Sequence, residues 1–419
     1  MIALPLIIAL LAPPAADGDA IYLGARAGAG VIEAEPYLVL DPWAGWQRGD
    51  FAIAVHAPLR VRFDDATLRA RDWDEGSDFG RLLRFARYGE WVRVGLLADL
   101  TLGQGTLVRR YHNGVDDDHH RLGAAVEWRG EALRLDAFAD QVLAAPVAGL
   151  RVGYRFTDRW SAALTAAADF AAPHSLDGTA DSTGRLRGDT GLFLATGAEA
   201  AFDLVPPEPD HAATAYLAVN LLDADRIGAH LGFGAAGVFD EDWRVEGRLE
   251  GIALGEGYLW SPFDTGWLVD RYRRLVAAAD ALDPTLGGRA ALTVAWGEAV
   301  VVGAEYADAL TIGRADLSAW LQVPLSDFTL AAYWRQRAGP ERLSVFDPEE
   351  ALAAAAATMT LSPGWYLDVT LARVWRVVPG EPEGPPADPE APGAAVGARR
   401  PVLAPTTEFF VTLEAAFGL

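Results

Sequence analysis

Thr407-Glu408-Phe409-Phe410-Val411-Thr412-Leu413-Glu414-Ala415-Ala416-Phe417-Gly418-Leu419 ends the chain. Side chains alternate across a strand. Phe409, Val411, Leu413, Ala415, Phe417 and Leu419 therefore share one face, and Phe410, Thr412, Glu414, Ala416 and Gly418 the other. One face is apolar to the terminus while the other carries a carboxylate. A membrane strand facing lipid on one side reads this way, and so does the last strand of a soluble sandwich. On the membrane reading, Phe417→Asp blocks assembly and the inward Glu414→Gln is tolerated.

The rest of the chain separates the two. Past the N-terminus there is no apolar run of about 18 residues, so no segment suits a transmembrane helix. A membrane can then be crossed only by a closed barrel, the other way to satisfy backbone polar groups in lipid. Short and long connections alternate, as they do on the two rims of such barrels. Tight turns fall at 88–91, 128–131, 156–160, 239–243, 296–299, 325–328 and 361–365. Longer polar connections lie between them at 64–80, 104–119, 172–189, 261–287, 339–350 and 379–406. Trp91, Trp128, Trp160, Trp243, Phe328 and Trp365 flank the short turns, where aromatic rings favour the headgroup layer.

With its closing strand, the chain resembles bacterial outer-membrane β-barrels of the porin-like kind. The expected fold is all-β, an up-and-down antiparallel transmembrane barrel with short periplasmic turns and long extracellular loops. Counting from Ile21 gives about 20 strands, or about 18 if the segments near 21–29 and 33–41 are not strands. The resemblance implies outer-membrane lipid as surroundings and the barrel-assembly machinery as a partner, with Phe409, Val411, Leu413, Phe417 and Leu419 as the assembly-signal strand.

Composition fits. The sequence holds 43 Gly and 25 Pro beside 51% hydrophobic residues, which suits many strands joined by turns. Met1–Ala12 is an apolar core followed by Pro13-Pro14-Ala15-Ala16, the length of a secretory signal, although no Lys or Arg precedes it. Residues 1–16 are expected to be cleaved, leaving 17–419 as one barrel domain. The absence of cysteine excludes disulfides, thiolate metal sites and a lipidated Cys. A net charge of −23 argues against nucleic acid as a partner.

Alternation also separates wall from lumen. The strand after Trp91 is expected to run to Leu102, with Arg93, Gly95, Leu97, Asp99 and Thr101 inward and Leu100 and Leu102 toward lipid. Arginine at the lipid midplane costs about 2–4 kcal/mol, so charged faces belong inside. The candidate pore-lining set is Arg93, Asp99, Glu127, Arg134, Asp136, Arg151, Arg155, Arg244, Glu246, Arg248, Glu250, Glu305, Arg335, Arg337 and Asp368, with Asp140 and Glu199 beside them. Such mixed charge suits a hydrated channel, or cross-strand ladders that only brace the wall. Segment 264–283 has Trp267, Leu268, Tyr272, Leu275 and Val276 at helical spacing, and either caps the rim or folds inward. The Pro-rich acidic segment 379–406 reads as a disordered loop.

No catalytic constellation emerges. The loop Arg109–Arg121 carries His112, His119 and His120, but no metal-ligand spacing is met and Asn113-Gly114 reads as a solvated turn. Leu102-Gly103-Gln104-Gly105-Thr106 lacks the Lys and helix of a phosphate loop. No catalytic residue, cofactor or metal is expected. The leading function is a channel for small hydrophilic solutes. The alternatives are a non-conducting scaffold or adhesion barrel working through its loops and, last, a surface hydrolase.

Overall fold

In a computed structural model, the described residues are 19–114, 122–143, 146–173, 179–180, 186–187, 190–205, 210–239, 242–268, 271, 275, 283–297, 299–309, 314–338, 351–382 and 399–418. Residues 1–16, expected from sequence to direct export, and Leu419 fall outside them. Antiparallel strands follow one another around a ring that closes where Ala20–Ile32 pairs with Arg399–Gly418, from Tyr22 opposite Gly418 to Ile32 opposite Glu408. The sheet is 21-stranded by hydrogen bonding. Phe51–His56 and Leu59–Arg62 both pair with Glu35–Arg48 as consecutive pieces of one strand, leaving a closed barrel of 20. Among the described residues no helix is long and apolar enough to cross a membrane, which says nothing against crossing by strands.

The faces separate as alternation requires. Leu38 and Leu40, Leu150 and Val152, Leu217 and Val219, and Phe409, Val411, Leu413 and Phe417 all stand exposed on the outside. A contiguous apolar belt of this kind is untenable in water and natural against lipid. Trp91, Trp128, Trp160, Trp243, Phe328 and Trp365 are exposed beside the short turns, and the rings of Trp243 and Trp296 stack at 6.0 Å. All seven expected short turns join neighbouring strands. The opposite rim is more varied than expected: Glu33-Ala34 and Asp223-Ala224-Asp225 are also tight turns.

Two expected boundaries move. The strand after Trp91 stops at Gly95, not Leu102. Gly95 has φ +131°, and a Cβ there would sit 2.9 Å from the Arg84 carbonyl, so the chain turns off the wall at a residue only glycine fills easily. Leu100 and Leu102 are consequently buried inside the barrel instead of facing lipid. The 379–406 connection is the second correction: Trp365–Pro382 and Arg399–Gly418 extend as paired strands into it, with Pro379 opposite Pro401. Residues 383–398 lie outside the described set.

Segments 96–114 and 255–268 fold into the lumen and pair with each other, Val108–Arg109 running parallel to Phe263–Asp264. Leu97, Leu100, Leu102, Leu107, Val108, Tyr111, Tyr258, Phe263, Trp267 and Leu268 form one buried apolar cluster with the inner faces of Phe138, Phe193, Leu222 and Ile252. Trp267 stacks on Phe193 at 5.3 Å, and its indole N–H donates to Asp169 at 2.9 Å. Of the two placements open for 264–283, its described residues take the inward one.

The inserted loops seat against glycines of the wall. A Cβ on Gly123 would meet Leu97 Cγ at 2.6 Å, and one on Gly228 would meet the Tyr258 ring at 2.5 Å. Asn113 clasps the turn of the first loop. Its Oδ1 accepts from the Leu97 N–H at 2.6 Å, and its amide donates to the Asp140 carbonyl at 2.9 Å. Asn113-Gly114 is thus buried, not the solvated turn expected from sequence.

Candidate functional site

Where the inserted loops face the wall formed by Thr285–Trp296, Val300–Ala309, Arg314–Leu325 and Phe328–Ala338, they leave a small charged eyelet. Arg109, Arg110 and Asp264 come from the loops; Arg289, Glu305, Asp316 and Arg335 come from the strands. Two charge-assisted contacts bridge loop to wall. Arg109 forks onto Glu305 through Nε at 3.0 Å and through Nη2, and Arg335 Nη2 reaches Asp264 at 2.7 Å. Arg335 also holds Asp316 through Nε at 2.9 Å, so it ties two neighbouring strands to a loop. The cavity between these groups is about 30 Å³. That is room for one or two waters.

Nearer the short turns, against the strands from Val92 to Pro173, lie two larger cavities. One cavity of about 240 Å³ is lined by Arg93, Asp99, Glu127, Arg134, Asp136 and Arg151 among others. Another of about 280 Å³ is lined by Arg129, Arg134, Arg151 and Arg155 with Ser161. Arg93 donates to Glu127 at 2.7 Å, and Arg151 donates to Glu199 at 3.0 Å and Asp136 at 3.3 Å. Among the described residues, the side chains of Arg134 and Arg155 carry no hydrogen bond or ion pair, and both line the cavity.

The sequence-derived set therefore divides. Arg93, Glu127, Arg134, Asp136, Arg151 and Arg155 line open lumen. Asp99 does too, but from an inserted loop, with φ +54°, instead of from the wall. Glu305 and Arg335 reach the eyelet. Arg244 and Glu246 pair at 2.7 Å near the short-turn rim and stay largely exposed. Arg337 lies opposite Asp316 in register, and its side chain falls outside the described set.

Arg248, Glu250 and Asp368 point inward but are sealed. Glu250 accepts from Arg248 at 2.6 Å and from His230 Nδ1 at 2.9 Å, and His230 Nε2 meets the Tyr258 hydroxyl at 3.0 Å. A carboxylate only accepts, so His230 donates from Nδ1 and takes the Tyr258 proton at Nε2 as a neutral imidazole. This network anchors the second inserted loop to the wall and carries no open passage. Asp368 accepts from Thr358 at 2.7 Å beside the barrel seam, where Arg26 Nη2 donates to Glu414 at 3.1 Å and Arg84 approaches it at 3.7 Å.

Sequence reading missed Arg109, Arg110 and Asp264, because loop residues have no strand alternation to orient them, and it missed Trp320, which lies on the strand Arg314–Leu325. It also missed a pattern that was present. Gly24 lies opposite Trp43, Gly30 opposite Phe410, Gly232 opposite Tyr216 and Gly303 opposite Trp320. In each pair the ring covers the bare glycine, where a Cβ would come within 2.4 Å of it. An arginine then covers the ring: Arg84 on Trp43 at 5.0 Å, Arg60 on Phe410 at 5.8 Å, Arg248 on Tyr216 at 4.8 Å and Arg110 on Trp320 at 3.7 Å.

Fold and site together define a transmembrane β-barrel of the outer-membrane type, with a lumen constricted from within. No protein-family model matches the chain, and neither does any curated protein. Among solved structures it is similar to Pseudomonas aeruginosa OpdK with vanillate, at TM-score 0.38 and 9% identity over 96% of this chain and 99% of that one. It is also similar to Acinetobacter baumannii OccAB3, at 0.36 and 9% over 96% and 99%. A third is P. aeruginosa OccD3 (OpdP), at 0.37 and 10% over 96% and 92%. Likeness at this distance carries nothing about what this chain binds or passes.

Proposed function

We propose that this protein is an outer-membrane channel for small hydrophilic solutes and not an enzyme. Residues 1–16 direct its export, and its closing strand serves insertion by the barrel-assembly machinery. The short-turn rim is periplasmic. The observation that carries the reading is an interior holding a charged eyelet and larger cavities lined by arginines and carboxylates, inside a wall whose outer face is apolar. Water and polar solutes are stabilised along such a surface and rejected by the belt outside it. Purified protein in planar bilayers is expected to give discrete conductance steps, and liposomes containing it to admit small sugars or amino acids. Neither steps nor permeation, in protein that is heat-modifiable and folded, would sink the channel reading. One feature favours the scaffold alternative: an eyelet of about 30 Å³ is too narrow for most solutes as it stands.

A further inference from the structure

We infer that Arg110 is the latch of the eyelet: its guanidinium, stacked on Trp320, closes the passage, and its release opens it. This rests on the channel reading and deepens it. Of the four glycine–aromatic–arginine stacks, three take their arginine from the barrel wall, Arg60, Arg84 and Arg248 lying on strands. Those three join one part of the wall to another and bridge no inserted loop. The fourth joins an inserted loop to the wall, so it can part while the barrel stays intact.

Position supports the assignment. Glu305, Trp320 and Arg335 lie on three consecutive strands, Trp320 on the middle one. The ion pairs Arg109–Glu305 and Arg335–Asp264 stand on either side as fixed pillars, and Arg110 bridges the gap between them. Trp320 is held flat by Gly303 beneath it and is only 4% exposed. Arg110 lines the eyelet cavity, while its other neighbour, Asp99, lines the cavity of about 240 Å³ on the far side. The side chain thus stands between the two cavities, lining one and paired with a residue that lines the other.

Arg110 is also the loosest of the eyelet arginines. Among the described residues its one ion pair is with Asp99, through Nε at 3.6 Å, whereas Arg109 and Arg335 fork onto carboxylates at 3.0 Å or less. Its backbone is held at φ +49°, a region that costs a residue with a Cβ and that clusters at switches. The strain persists because both sides of the peptide are clamped. The Arg110 N–H donates to Thr101 Oγ1 at 3.0 Å, and its carbonyl accepts from Thr265 Oγ1 at 2.7 Å. The backbone is fixed and the side chain is the moving part.

The test is single-channel recording of the wild type against Arg110→Ala, Arg110→Lys and Trp320→Ala. An exposed to desolvated cation–π contact predicts about a ten-fold rise in open fraction on its loss. Arg110→Lys keeps the charge and loses the flat stack. Its open fraction is expected to rise as in Arg110→Ala, with ion selectivity unchanged. A lysine variant identical to wild type would show a purely electrostatic role and overturn the latch. Since the chain has no cysteine, Arg110→Cys with Trp320→Cys can be bridged by a short bis-methanethiosulfonate, which joins each thiol through a disulfide and releases sulfinate. The bridge is expected to abolish steps and reductant to restore them. Conductance that ignores both the variants and the bridge overturns the latch while leaving the channel standing. Silence from the wild type and every variant overturns both.

Discussion

Where the barrel closes, Arg26 and Arg84 converge on Glu414; across the lumen, Leu97, Leu102, Tyr258 and Trp267 pack against Phe138, Phe193 and Ile252. The seam is polar and held by register, since Arg26 and Glu414 are direct cross-strand partners. The inserted loops are apolar and held by burial. Loops have no register to set them, so they need shape: glycine notches, a buried Asn clasp and a His–Tyr anchor. Strand pairing can position charges without a hydrophobic core, and loops inside a barrel cannot.

The largest expected effect falls on the seam. Glu414 is fully buried, so Glu414→Ala leaves two guanidinium groups facing each other without it, a loss of about 3–5 kcal/mol for a broken buried pair. Urea unfolding and heat-modifiability on gels should show most of the folded form gone. Glu414→Gln, which strand alternation alone marks as harmless, is expected to weaken the barrel as well. If the alanine variant folds like wild type, the seam is not held by its charges.

Next come the inserted loops. Asn113→Ala removes a clasp whose loss costs about 1–3 kcal/mol, and Gly228→Ala drives a methyl into the Tyr258 ring at a similar cost. Both should leave the barrel heat-modifiable while raising conductance and opening 96–114 or 255–268 to limited proteolysis. Barrel unfolding in step with the loops would erase the distinction between the two regions.

Phe417→Asp tests the outer face of the seam. Phe417 stands exposed near the short-turn rim, edge-on to Trp365 at 6.4 Å. Charge near an interface costs about 0–1 kcal/mol, so folded yield should drop less than for Glu414→Ala. A larger drop would mean that assembly reads the outer face more closely than stability does. Smallest of all, Arg244→Ala breaks an exposed pair, and such pairs contribute little. Its unfolding midpoint should match wild type; a clear shift would show that the rim charges are coupled.

Alternation in the last thirteen residues, the aromatic residues beside short turns and the spacing of those turns already determine a closed membrane barrel of about 20 strands. They also determine which residues look inward, because a strand's period of two sorts side chains by position alone. The same logic puts Arg93, Arg151, Glu305 and Arg335 on inner faces. It failed at Gly95, where the strand was read seven residues too long, because Leu100 and Leu102 are as apolar toward a plugged lumen as toward lipid. Composition cannot tell those two environments apart. Only the folded ring brings Arg110 over Trp320 or Asp264 against Arg335, since no periodicity links a loop to a wall 71 residues away. The sequence determined the barrel, and tertiary packing decided how its interior is filled and where it is narrow.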